Sequence, residues 1–174
     1  MGDLLSRICV AVVGPGERAP AQAVDDAARV GRLAAERGWV LLCGGRDAGV
    51  MRAAASGATA AGGLAIGILP GVDRRDAAPE LGVALPTGLG EARNAVLVTA
   101  AHAVIGCGVS PGTVSELALS LRAGKPTVLV RPEAETAAFF DAIAAGAPLF
   151  IAPSPDDAIA WLAGRLASSI RETR

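Results

Sequence analysis

Apolar runs without polar alternation recur along the chain, and each is followed by a stretch of helical spacing. Ile8–Val13, Trp39–Cys43, Leu64–Leu69, the run from Ala103 into Cys107, and Pro126–Val130 read as strands buried on both faces. Shorter runs near Leu81–Leu85 and Pro148–Ile151 bring the expected sheet to six or seven strands. Between them, Ala27, Val30, Leu33 and Ala34 form the apolar stripe of a helix that starts at Pro20 or Ala21 and stops at Gly38. Val50–Ala61 is a second helix, rich enough in Ala and Gly to pack close against the sheet. Further helices are expected over Glu91–Ala101, from Gly112-Thr113 onward, over Ala134–Ala144, and after Ser154-Pro155-Asp156-Asp157, which has the form of a helix cap. Alternation of strand and helix predicts an α/β, Rossmann-like parallel sheet with helices on both faces. The loop Pro70–Pro79, with Asp73-Arg74-Arg75-Asp76 between prolines, is the expected mobile segment.

Composition agrees with that architecture. The 174 residues are 52% hydrophobic and 19% charged, enough for one domain spanning 1–174 with a substantial core. A formal charge of −1 and an aromatic content of 3% supply neither the basic stripe nor the stacking platforms of a nucleic-acid binder. No run has the length of a membrane span, and the apolar stretch ending at Val13 is too short for a signal peptide. Met1-Gly2-Asp3-Leu4-Leu5-Ser6 fits the loose acylation pattern, which short segments often match by accident. Cys9, Cys43 and Cys107 are isolated and odd in number, consistent with a reducing, cytoplasmic setting.

In an open parallel sheet ligands bind beyond the carboxyl ends of the strands, and here several such ends carry glycines. Gly14-Pro15-Gly16-Glu17-Arg18-Ala19 matches the dinucleotide pattern G-x-G-x-x-G/A after a strand. Glu17 would set a negative charge beside a pyrophosphate, and Leu41-Leu42-Cys43-Gly44-Gly45 lacks the acid expected after the second strand. Gly14 therefore either shapes a tight turn or lines a pocket. Gly44 and Gly45 allow a close backbone approach, with Met51 just beyond; Arg46 and Asp47 are either solvent-exposed turn residues or ligand contacts. The bend Gly106-Cys107-Gly108-Val109-Ser110-Pro111-Gly112-Thr113 leads into a helix whose first amides and positive dipole end suit a phosphate, placing Gly108, Ser110, Gly112 and Thr113 in an anion site. Glu116 lies one turn further on. Arg93 and Asn94 open a helix behind Gly88-Leu89-Gly90; Arg93 is either an exposed helix residue or a clamp that binds phosphate or pairs with Glu116. His102, the one histidine, stands at the amino end of its strand and is read as structural, while Cys43 and Cys107 are read as apolar fillers. Three cysteines without histidine partners make a poor zinc set, so no metal or resident cofactor is expected.

Cys43-Gly44-Gly45 with Gly49-Val50-Met51, Gly62-Gly63 with Gly67-Ile68-Leu69-Pro70, Gly88 to Asn94, and Gly112-Thr113-Val114-Ser115-Glu116 resemble the Lonely Guy (LOG), or "lysine-decarboxylase-like", superfamily. The resemblance covers about residues 8 to 130 and is greatest to the small Rossmann branch grouped with molybdenum cofactor carrier protein. It implies hydrolysis of the N-glycosidic bond of nucleoside 5′-monophosphates, with Glu116 and Arg93 as catalytic residues. Gly112 and Thr113 match the signature P-G-G-x-G-T-x-x-E, whereas Gly108-Val109-Ser110 stands for P-G-G and Pro111 for x. Pro111 removes an amide donor, and Val109 adds a Cβ where a backbone would approach phosphate. A second reading is a non-catalytic carrier for a pterin, of molybdenum cofactor type, or for a nucleotide. Relatives of this kind are homodimers, so a homodimer or higher oligomer is expected. Lysine decarboxylation is not, because Lys125 lies at the amino end of its strand.

Overall fold

The computed structural model describes residues 7–172; the acylation pattern at positions 1–6 lies outside them. Strands β1 (Cys9–Val13), β2 (Val40–Cys43), β3 (Ala65–Leu69), β4 (Val83–Pro86), β5 (Ala103–Cys107), β6 (Thr127–Val130) and β7 (Leu149–Ala152) form one parallel seven-stranded sheet in the order β4-β3-β2-β1-β5-β6-β7. Helices α1 (Ala21–Glu36), α2 (Gly49–Ala60), α3 (Arg93–Ala100), α4 (Pro111–Arg122), α5 (Ala134–Ala144) and α6 (Pro155–Glu172) cover its two faces. The Rossmann-like arrangement read from the apolar runs is the observed one.

Each buried strand splits its side chains between two cores, as the period of two requires. Val10, Val12, Leu41, Ile105 and Val128 face α1, α2 and α6, while Ala11, Val13, Leu42, Val104 and Leu129 face α3, α4 and α5. Strand β1 pairs with β2 on one side and with β5 on the other. The chain direction of crossover therefore reverses between β1 and β5, and a crevice opens beyond their carboxyl ends.

Three details depart from expectation. Helix α2 makes its closest approach to α1 rather than to the sheet: a Cβ on Gly31 would lie 2.1 Å from the Ala54 carbonyl oxygen, and one on Gly57 would lie 2.0 Å from that of Ala28. The predicted helix over Glu91–Ala101 begins as a single 3₁₀ turn at Gly90–Ala92 before α3 takes over at Arg93. The loop expected to be mobile is tied to the turn after β2. Asp47 donates its amide to the Asp76 carbonyl at 2.8 Å, and Ala78 donates to Gly45 at 2.9 Å.

His102 Nδ1 accepts the Cys9 amide at 3.0 Å. Lys125 donates from Nζ to the carbonyls of Val98, Thr99 and Ala101, closing the end of α3. No helix among the described residues is long and apolar enough to cross a membrane.

The α1–α2 contact yields a test in which two effects oppose. Alanine in place of glycine favours a helix by about 1 kcal/mol, but forcing a methyl into a closed backbone contact costs ~1–3 kcal/mol. Packing wins at a backbone contact this close, so Gly31→Ala is expected to lower stability by up to about 2 kcal/mol, read as a fall in the urea midpoint with an unchanged slope.

Candidate ligand-binding site

The crevice beyond β1 and β5 is a cleft of about 420 Å³. Glu116 reaches it from α4, where it shares a face with Gly112 and Thr113 and tilts toward the helix start. Arg93 reaches it from the first turn of α3, four residues before the core residue Leu97. Both are buried, at 7% exposure for Arg93 and 6% for Glu116, and Arg93 Nη1 lies 3.4 Å from Glu116 Oε1. The guanidinium rests on Gly44: a Cβ there would stand 2.7 Å from both terminal nitrogens of Arg93 and from the sulfur of Met51. Gly14 is closed from the other side, since its Cβ would meet the Cys107 carbonyl oxygen at 2.3 Å.

Burial dominates the electrostatics. It pushes the Glu116 carboxyl up to about 7; Arg93 opposes the rise and the nearby Glu91 adds to it. Near neutral pH the group is therefore divided between acid and carboxylate, the state a proton donor or acceptor needs. Arg93 Nε and Asn94 Oδ1 are buried without a hydrogen-bond partner, while Asn94 Nδ2 donates to Ser115 Oγ at 3.1 Å.

The floor of the cleft is the start of α4. Ser110 caps the helix, its Oγ accepting the Thr113 amide at 3.3 Å and lying 2.8 Å from the Thr113 hydroxyl. Pro111 occupies the first helical position, where an amide would have no partner within the helix. Hydroxyls and the Gly112 amide thus supply the donors.

Of the predicted residues, Glu116, Arg93, Gly14, Gly44, Ser110, Gly112, Thr113, Arg46, Asn94 and Met51 line this one cleft. Gly45 and Gly108 do not; both hold left-handed backbone, with φ of 79° and 76°, and shape the turns behind it. Val109 also turns away, into a neighbouring cleft. Arg46 pairs with Glu17 at 3.1 Å, so the acid in the dinucleotide-like pattern meets a cation at the rim. Asp76 and Glu91 line the cleft without having been singled out. Glu91 had a signal in its position two residues before Arg93, whereas Asp76 is brought in by the tied loop, a contact distant in sequence. Cys43 and Cys107 are fully buried, and burial raises both thiols, that of Cys43 to about 11. Among the described residues no cluster of His, Cys, Asp and Glu is placed to hold a metal ion.

A family model, the SLOG cluster4 family, matches residues 7–159. The chain belongs to the SLOG cluster4 family. Among solved structures, the molybdenum cofactor binding protein of the phototrophic bacterium Rippkaea orientalis superposes with a TM-score of 0.90 at 38% identity, covering 93% of this chain and 99% of that one. The molybdenum cofactor carrier protein of Chlamydomonas reinhardtii superposes at 0.87 with 36% identity, covering 92% and 99%. An uncharacterized protein of Archaeoglobus fulgidus is 39% identical over 124 residues, 71% of this chain and 80% of its own. This SLOG chain therefore joins the branch that its glycine-rich turns resembled.

The raised carboxyl of Glu116 makes stability depend on pH. In the unfolded chain the group ionises near its ordinary value of 4.5, in the folded chain only near 7. Between those values the folded state holds the extra proton, so stability falls as pH rises, by up to about 3 kcal/mol. Glu116→Gln is expected to flatten that decline, measured by urea unfolding at pH 5 and pH 8.

Proposed function

We propose that this SLOG protein binds a phosphorylated small molecule with its phosphate in the cleft, and that the ligand is a molybdenum cofactor-type pterin held without chemical change. The observation that carries the reading is the likeness, at 36–38% identity over more than nine-tenths of both chains, to proteins that bind or carry that cofactor. The geometry supports it. An anion fits the start of α4, where Ser110, Gly112 and Thr113 offer neutral donors with the helix dipole behind them. The cations of the cleft are already paired, Arg93 with Glu116 and Arg46 with Glu17. Such a site suits a single phosphate attached to a polar ring better than a polyphosphate.

A second reading is favoured by one feature, the buried Arg93–Glu116 pair. In N-glycosidic hydrolysis a water oxygen bonds to the ribose C1′, the C1′–N bond breaks, and the base leaves with a proton. Glu116 near neutrality takes the water proton or faces the cationic sugar, and Arg93 holds it in place. The proposal extends to a cytoplasmic setting and self-association. Val83 and Leu85 on the edge strand β4 and Val96 on α3 leave large apolar side chains exposed.

The two readings separate in one set of measurements. The protein isolated from molybdenum-replete cells is expected to carry molybdenum and a fluorescent oxidised pterin. Gly44→Ala, whose methyl displaces the Arg93 guanidinium, should lower both at least about tenfold. Release of free adenine from AMP, lost in Glu116→Gln, would instead establish hydrolysis. Absence of bound pterin together with no affinity for phosphate or AMP would overturn both.

A further inference from the structure

A second cleft of about 410 Å³ opens on the other side of the β5–α4 turn, between the starts of α1 and α5. It has a different chemical character from the first. Pro20, Val109 and Pro132 supply apolar walls, Arg131 and Glu133 charged ones, and the most buried polar side chain is that of Asp26, only 5% exposed. Gln22 Nε2 donates to Asp26 Oδ1 at 3.2 Å, and Arg131 Nε lies 3.7 Å from the same oxygen. Among the described residues no hydrogen bond is made to Oδ2. Arg131 itself holds a left-handed backbone, with φ of 47°, a conformation that a side chain other than glycine adopts at a cost.

A nearly buried carboxylate with one oxygen engaged and one without a hydrogen bond, beside the apolar side chains of Pro20, Val109 and Pro132, is complementary to a planar ring that presents adjacent N–H donors. We propose that this cleft binds the 2-amino-4-oxo edge of a pterin or guanine ring, with Asp26 accepting from the ring N–H and the exocyclic amine. The assignment rests on the ligand class proposed above, which supplies such an edge. It also gives a physical role to one of the residues by which this chain departs from the P-G-G-x-G-T-x-x-E signature. Val109 stands where the signature has glycine, and its side chain, 41% exposed, is a wall of this second cleft rather than an obstacle in the first. Gln22 and Arg131 hold Asp26 in place from opposite helix and strand ends. A nearly buried acceptor discriminates between rings, because one without the paired donors leaves it unmet.

Fluorescence titration of the full chain tests this, with 6-hydroxymethylpterin as probe, guanosine as the alternative ring, and 6-hydroxymethyllumazine as the analogue lacking the exocyclic amine. The pterin or guanosine is expected to bind, the lumazine at least about tenfold more weakly, and Asp26→Asn to weaken the preferred ring by at least about tenfold. Phosphate affinity in the first cleft should be unaltered in Asp26→Asn. Val109→Gly, at an exposed position that does not endanger the fold, should weaken ring binding severalfold. Equal affinity for pterin and lumazine overturns the proposal, as does undiminished ring binding by a folded Asp26→Asn or by Val109→Gly. Ring binding lost in Gly44→Ala but retained in Asp26→Asn would place the ring in the first cleft, sinking this assignment and leaving the ligand class intact. No binding of pterin, guanosine or phosphate would remove both.

Discussion

The contact on which the site depends is the buried pair between Arg93 and Glu116. Two charged groups on different helices, each less than a tenth exposed, meet at 3.4 Å. Desolvation of such a pair opposes its attraction, and here burial prevails, because the carboxyl is raised rather than lowered despite the adjacent guanidinium. The pair is therefore poor as a stabilising device. Its presence constrains everything around it: α3 and α4 must converge at the carboxyl edge, Gly44 must lack a side chain, and Met51 must yield space. Replacing either partner alone would leave an uncompensated polar group in the core.

The sheet order explains why these residues meet. Strand β1 lies between β2 and β5, so the turns after Val13, Cys43 and Cys107 are spatial neighbours although they are far apart in sequence. The loop after β3 joins them through its backbone bonds to Gly45 and Asp47, which carry Asp76 to the cleft. That attachment also accounts for a loop rich in Pro and charge that is nonetheless bonded into the fold. Ala78, almost wholly buried, anchors its far end.

Much of this was legible in the residues. Continuous apolar runs located the five inner strands because burial on both faces leaves no polar alternation to confuse them, and shorter apolar runs marked the half-exposed edge strands β4 and β7. Glu116 and the Gly112-Thr113 turn were visible from the strand-to-helix bend. Arg93 was ambiguous, yet its spacing of four from Leu97 put it on the buried face of α3, and the structure places it there. Asp26 went unnoticed for a related reason. Beside Asp25 it reads as part of a solvated charge pair, although the period through Ala23, Ala27, Val30 and Ala34 places it on the buried stripe of α1. What could not be read was tertiary: the α1–α2 backbone contact at Gly31 and Gly57, and the loop that delivers Asp76. Both depend on distances between elements, which no local spacing encodes.

The altered signature then has a consistent physical reading. Where the family pattern has P-G-G-x, this chain has Gly108-Val109-Ser110-Pro111. Gly108 keeps the left-handed bend, and Pro111 sits where the missing amide is no loss to the helix. Ser110 adds a hydroxyl that caps the helix and faces the Thr113 hydroxyl across 2.8 Å. Val109 directs its side chain to the opposite side of the turn. The turn divides its work, with neutral hydroxyls toward one cleft and an apolar wall toward the other. The departure thus alters which donors the turn presents while keeping the helix start, its dipole and Glu116 in place.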